Sequence, residues 1–514
     1  MTVPPPAAPT LPPPPHRKPL PPGAPRIVAL GSLASGVLAA VLLPGSPVGL
    51  GLLLVALAIT ASVAMARPRR ISAEVVAYAC LGVGLAAMSL LRAAEWVLGF
   101  DALFALGLAA LVVVGGSTWS QVARAPLVVL ARVHRAVPFL WRGLRPGRMP
   151  RAGRLSPALR GAALGGALLL VFGGLFASAD RAFAHLASEI LVPEWDLALL
   201  PARVFVFAVV AVAVGAYVAA SPRFAALGTP WPMRATLWST VLEDEARGPR
   251  RLGRTEWAIA LGLLDMLFAA FVVLQVAVLF GGHEHVLRTA GLTYAEYARQ
   301  GFFQLLAVGA LTLAVVAAAV RWATRGARRD TLLLQVLLGA LCALTLVVLA
   351  SALRRLGLYE EAFGFTRARI AAHAIILWLG GLLVLVMVAG VRMRGWWLPR
   401  AAVAFTAVAL LVFTLVNPDR LVASKNVERY RETGQIDLEY LSRLSADAVP
   451  ALATTLPPRL RACVLFAPGG AADDLARPEP WHAWNLSRSE ARSVLGWVRA
   501  AGPVTCSSDL TVRP

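Results

Sequence analysis

The sequence is short of charge, and shorter still of acid. Charged residues make up 15% of the 514, and 28 Asp and Glu face 49 Lys and Arg. Hydrophobic residues supply 58%, and the mean hydropathy is +0.69. This excludes an ordinary soluble chain, in which about a quarter of residues are charged. The net charge of +21 suggests nucleic acid at first sight. A nucleic-acid protein, however, needs a basic face on a soluble core. Here the arginines stand in short gaps between apolar runs, where they set orientation in a bilayer, so nucleic acid is excluded. Histidine (7) and cysteine (4) are scarce. His283-Glu284-His285 is the nearest approach to a metal motif, and two histidines one residue apart in a loop do not make a site. No nucleotide loop and no Ser/His/Asp order is evident. No metal and no cofactor is expected, and the balance leans away from an enzyme.

What the chain does have is apolar runs of bilayer length. Eleven spans are expected near 27–43, 48–66, 74–91, 97–116, 161–179, 203–220, 256–280, 302–320, 331–353, 369–391 and 400–416. The fold class is therefore all-α: a polytopic bundle of about 11 transmembrane helices, residues 26–416, followed by a small, mostly helical extracytoplasmic segment, 417–514. Residues 1–25 hold twelve prolines and almost no large apolar side chain, the composition of a disordered cytoplasmic tail. The first apolar run lacks a small-x-small cleavage site and reads as a retained helix.

Basic residues set the orientation. Threading eleven spans puts 28 Arg and Lys on one side, from the tail through the 121–160 loop to Arg400, and 9 in the loops of the other. By the positive-inside rule the N-terminus is cytoplasmic and the C-terminal segment lies outside a cell membrane. The 121–160 loop carries nine arginines, no acid and apolar residues such as Leu127, Leu130, Val137 and Trp141. It suits an amphipathic helix on anionic lipid headgroups.

The stretch Asn417–Leu452 changes character. Gly434 can close a helix in a left-handed cap, Asp437 can cap the next, and Ser445 and Pro450 mark a third short element. Ser487-Arg488-Ser489-Glu490 reads as a capping box for a helix to about Ala500, with Leu495, Trp497 and Val498 packing inward. Cys80 and Cys342 fall inside spans as small apolar residues. Cys463 and Cys506 are an even pair outside the cytoplasm, the condition for a disulfide.

Four stretches carry a resemblance: Phe176–Asp180; Leu274-Gln275 through Gly282 to Thr293–Phe303; Ser351–Arg355 with Leu358–Gly364 and Thr366-Arg367; and Asn417–Leu452 with Pro480–Arg488. As a set they resemble the bacterial domain-of-unknown-function 4173 family of polytopic membrane proteins and the related 4153 family. The likeness covers most of residues 170–500, and none is evident in the first 120. It implies a multi-pass membrane protein and carries no established activity, so no catalytic residue follows from it.

Threaded on the topology, these stretches gather acids, tyrosines and arginines at the outer surface. Asp180, Glu296, Arg354, Tyr359 and Glu360 form the candidate outer-face site, for a charged headgroup, a peptide or a sugar-lipid. The alternative is that they are interfacial anchors neutralising one another. Within the bilayer, Asp265 lies about one-third of the way along 256–280, with Gln275 about three turns later and His373 as a possible partner. It should face the bundle interior, either as a proton or cation relay or in an interhelical hydrogen bond. The function expected is outer-face binding, scaffolding or sensing. Transport or flipping through Asp265 is the alternative, and a membrane enzyme on lipid-linked substrates the second alternative.

Overall fold

The computed structural model describes residues 23–65, 72–145, 197–221, 224, 252–280, 302–324, 326–392 and 395–500. Among them the regular structure is helical, and the one isolated β-bridge joins Leu252 to Ala323. The apolar helices are α1 (Arg26–Leu42), α2 (Leu50–Ala64), α3 (Ala73–Leu91), α4 (Glu95–Val114), α6 (Leu200–Ala220), α7 (Arg254–Phe280), α8 (Phe302–Trp322), α9 (Arg328–Phe363), α10 (Arg367–Val391) and α11 (Leu398–Val416). Between α4 and α6 lies α5 (Trp119–Leu144). Eight of them, all except α1 and α2, are long and apolar enough to cross a membrane; α1 and α2 are apolar but have 17 and 15 residues. The expected run at 161–179 lies outside the described residues.

Local chemistry sets the helix boundaries. The Thr118 and Thr366 side chains accept the backbone N–H of Gln121 and Arg369 at the starts of α5 and α10. Proline sits in the first turn of α6 and α11, where its missing N–H costs nothing. One boundary differs from expectation. α9 runs ten residues past 353 and has 36 residues, about 54 Å at 1.5 Å each, against a hydrocarbon core of roughly 30 Å. The Leu358–Glu361 stretch is thus helix rather than loop, because nothing there breaks α9 until Gly364.

The helices pack as two groups. One contains α1–α6 and α11 around Val28, Leu85, Leu108, Phe139 and Ala216, and the other contains α7–α10 around Trp257, Leu334, Ile376 and Leu383. α10 packs on α11 and joins them. After α11 the chain forms α12 (Pro418–Thr433), α13 (Leu438–Ser442), α14 (Val449–Thr455), α15 (Pro458–Leu465), α16 (Ala471–Ala476) and α17 (Leu486–Ala500). These short helices close a third core around Val422, Leu441, Leu452, Leu465 and Leu495. Gly434 ends α12 at φ 73°, and Asp437 Oδ1 accepts the Tyr440 N–H at the start of α13, as the sequence indicated.

The two ends of the bundle differ. At the basic end Arg254 pairs with Asp330 at 3.1 Å and Arg400 with Glu74 at 2.6 Å. α5 starts beside the α4 terminus, where a Cβ on Gly116 would meet the Val122 nitrogen at 3.3 Å. It ends beside the start of α1, where Ala24 N donates to Phe139 O at 3.0 Å. Both attachments are at the basic end, so α5 lies across that end rather than through the bundle. The short helices cap the opposite end.

Candidate functional site

At the capped end, buried side chains from the short helices answer the open backbone groups of the apolar helices. Asn417 turns the chain, with φ 61°, and its side chain accepts from Arg420 N at 3.2 Å, so it ends α11 and starts α12. That elbow places Asp419, 0% exposed, between the two helix groups. Arg367, in the first turn of α10, donates Nε to Oδ1 at 2.8 Å and Nη2 to Oδ2 at 2.5 Å. Trp96 Nε1 of α4 donates to Oδ1 at 3.1 Å and Ser445 N to Oδ2 at 2.9 Å. Burial pushes the Asp419 carboxyl up, but the Arg367 bonds outweigh it and hold the group below the usual range.

Asp447, 2% exposed, is the second buried acid of the cap, and backbone N–H groups and hydroxyls hold it. Its Oδ2 accepts the N–H groups of Ala93 and Ala94, both at 2.8 Å, and caps α4 from outside the helix. Ser445 Oγ donates to it at 3.1 Å, and Ser487 Oγ lies against Oδ1. Burial outweighs these bonds and raises the carboxyl above its usual range. Asn485 Nδ2 donates to Ser89 O and Arg92 O, each at 2.7 Å, at the end of α3, while its Oδ1 accepts Arg488 N at 3.0 Å. Arg92 in turn donates to Thr414 O at 3.0 Å and Leu415 O at 2.6 Å at the end of α11. Arg488, 8% exposed, pairs with Glu479 at 2.9 Å and donates to Val48 O at 3.0 Å. A Cβ on Gly49 would stand 2.3 Å from Ala483 O, so the α1–α2 turn meets the cap backbone to backbone.

The α9–α10 turn is clasped the same way. Asn426 Oδ1 accepts Phe365 N at 3.0 Å, and its Nδ2 donates to Phe365 O at 2.8 Å. Arg429 donates to Glu361 O at 2.9 Å and Ala362 O at 2.7 Å, satisfying the last carbonyls of α9. Gly364 has φ 79°, and a Cβ there would lie 2.6 Å from Asn426 Oδ1.

Of the five candidate outer-face residues, three are described, and all three are on α9. Arg354 is exposed, Tyr359 is half-buried with the Arg369 guanidinium 4.2 Å over its ring, and Glu360 is 2% exposed with Oε1 3.4 Å from His373 Nδ1. Asp180 and Glu296 lie outside the described residues. The cap holds residues 361–367 rather than Arg354. His373 is therefore a partner of Glu360 and not of Asp265. Gln275 Oε1 accepts from Ser351 Oγ at 3.0 Å. Both Asp265 oxygens are buried with no hydrogen-bond partner among the described residues, so the interhelical bond, one of the two alternatives, is not seen there.

Two further expectations, the cap of α17 and the packing of Trp497, need correction. Asn485, not Ser487, caps α17, because Ser487 is drawn away to Asp447 and to Leu91 O at 2.8 Å. Leu495 and Val498 are buried as expected, but Trp497 is 57% exposed with Arg461 5.7 Å over its ring. Cys463 is half-buried on α15, and Cys506 lies outside the described residues. Among the described residues no group of His, Cys, Asp and Glu is arranged to hold a metal. The sequence reading missed Asp419, Asp447, Asn426, Asn485 and the Thr414–Asp101 bond inside the bundle (3.0 Å). Four of these residues stand in the stretches singled out as family-like, which was the available signal.

Helices of membrane length packed in two groups under a polar cap define a multi-pass integral membrane protein. The chain belongs to the family described as Domain of unknown function (DUF4153), which matches residues 75–455. That is the related 4153 family of the resemblance, and the match begins in α3, well before residue 120, and stops before the 480–488 motif. No curated protein and no solved structure matches the chain.

Proposed function

We propose that this is a membrane scaffold working at its outer face. In this reading the N-terminus is cytoplasmic, the membrane is the cell membrane, and the segment after Asn417 is a fixed extracytoplasmic cap for binding or sensing. Arginine asymmetry supports the orientation. The observation that carries the role is Asp419: one buried carboxylate bonded to Trp96 of the first helix group and Arg367 of the second. Such a bond holds two groups at a set separation, and helix ends so held can present Tyr359 and the exposed Glu361 at the outer surface, with Glu360 buried behind them against His373. On the cytoplasmic side α5 rests on anionic headgroups. Its exposed stripe includes Trp119, Leu127, Leu130, Val137 and Trp141, and Arg124, Arg135 and Arg142 form a row about 125° round the helix.

A second reading is transport through Asp265, favoured by its two buried oxygens without a partner in a span. Transport needs the two groups to move apart at the outer face, whereas a scaffold does not. Spin labels at Phe100 and Phe363, both exposed, in a chain carrying Cys80→Ala, measure this by pulsed dipolar spectroscopy. A scaffold gives one distance, unchanged by Asp265→Asn. Two populations redistributed by that substitution would overturn the scaffold in favour of transport.

A further inference from the structure

Outside the capped end, α2 and α4 flank α3 and leave a groove of about 640 Å³ that opens at the surface of the first group, where Val76, Cys80 and Leu106 are exposed. Its walls run from Leu52 and Ser89 near the capped end to Val63 and Val75 near the basic end, and its lining is apolar, with Ala56, Gly82 and Ala102 among its small residues. From Val75 to Ser89 the groove is about 21 Å long, two-thirds of a hydrocarbon core of roughly 30 Å. Spread over that length, the volume gives a cross-section of about 30 Å². An extended acyl chain fits within that cross-section, whereas a helix about 10 Å across, roughly 80 Å², would lie over the mouth of the groove rather than enter it.

Three hydroxyls stand in its wall. Thr60 donates to Ala56 O at 2.7 Å and Ser89 to Gly49 O at 3.0 Å, so both are satisfied within the protein. Tyr78 is not: it is 7% exposed, and its hydroxyl is buried with no hydrogen-bond partner. Buried hydroxyls are rarely left so, and an unpaired one points to an oxygen supplied from elsewhere. Tyr78 lies about 7.5 Å from the basic end of α3, the depth at which a lipid's polar linkage begins. The Glu74–Arg400 pair sits at the same end, within electrostatic reach of Tyr78, and Arg400 Nε is buried without a hydrogen-bond partner.

We propose that the α2–α3–α4 groove binds one acyl chain of a phospholipid, with Tyr78 donating to an ester or phosphate oxygen and Arg400 facing the phosphate. The chain then points toward the capped end, and the headgroup stays at the basic surface. The inference is independent of the scaffold role.

The test uses the full chain purified in mild detergent, stripped of lipid, supplied with palmitoyl-oleoyl phosphatidylglycerol and read by native mass spectrometry. One lipid per chain should persist at activation that removes the rest. Filling the groove with Ala79→Phe and Ala102→Phe should abolish the retained lipid, and Tyr78→Phe, which keeps the ring and its packing, should cut its occupancy at least fivefold. Leu263→Phe, on an exposed position of α7, is the control and should change nothing. Retention that is equal in wild type, the groove-filled chain and Tyr78→Phe would overturn the proposal. So would a lipid-free dimer abolished by the groove-filling pair, which would make a second copy the occupant.

Discussion

Replacing Asp419 with alanine tests the central contact of the cap. The substitution removes both bonds from Arg367 and strands the N–H groups of Trp96 and Ser445. Breaking one partner of a buried ion pair costs about 3–5 kcal/mol. Arg367 keeps a third of its side chain exposed and regains some hydration, so the lower figure applies. A loss of about 3 kcal/mol raises the undocked population by a factor on the order of 100. The amides to follow are Ala93 and Ala94, which Asp447 covers only while the cap is docked, and which Asp419 does not touch. Hydrogen exchange at these two amides should speed by about two orders of magnitude in Asp419→Ala, while amides of the α14 and α17 core keep their protection relative to one another. A change of less than about threefold at Ala93 and Ala94 would show that the cap is held without Asp419 and would refute the reasoning.

The two buried acids of the cap, Asp419 and Asp447, should respond to pH with opposite sign. Asp419, whose carboxyl is held low in the docked state, contributes docking that is present above the ordinary Asp range and lost as pH falls below it. Asp447, held high, favours docking most when protonated, so its contribution fades as pH rises through its elevated value. Asp447→Asn should therefore be tolerated at neutral pH and flatten the mildly acidic side of an exchange-versus-pH profile; a profile unchanged from wild type would count against it. Gly364→Ala should cost about 1–3 kcal/mol, since φ 79° with ψ 178° is nearly reserved for glycine, with added crowding against Asn426; thermal unfolding in detergent measures it. Reporter fusions after Arg329 should behave as cytoplasmic and those after Asn417 as extracytoplasmic, and a cytoplasmic signal at the latter reverses the topology. Cys463 and Cys506 should resist alkylation in unfolded protein until a reductant is added, and free labelling of both without it rules out a bridge.

How much of this was written in the residues themselves differs by level. The apolar runs located ten helices, every boundary but the end of α9 within a few residues, because a bilayer demands length and hydrophobicity of each segment separately, and both are local properties. The punctuation of the cap was legible for the same reason: Gly434 and Asp437 act on backbone within a few residues of themselves, whereas the Asn417 elbow came only with the structure. The composition around Arg367 and Asn417 flagged the right stretches, yet not the pairings within them. Asp419 and Arg367 are 52 residues apart, Asp447 and Ala93 are 354 apart, and Asn485 and Ser89 are 396 apart. Nothing local distinguishes Asp447, buried and capping a distant helix, from the exposed Glu439 eight residues before it. Ser487 shows the limit most plainly. By spacing it was a helix cap, but a carboxylate brought in from α14's approach claimed its hydroxyl and left the cap to Asn485. Local free energy, acting residue by residue, drew the spans, the turns and the basic surface. Which polar groups meet was decided only when two helix groups and a cap closed on one another, since a buried donor is satisfied by whatever acceptor the packing brings within about 3 Å.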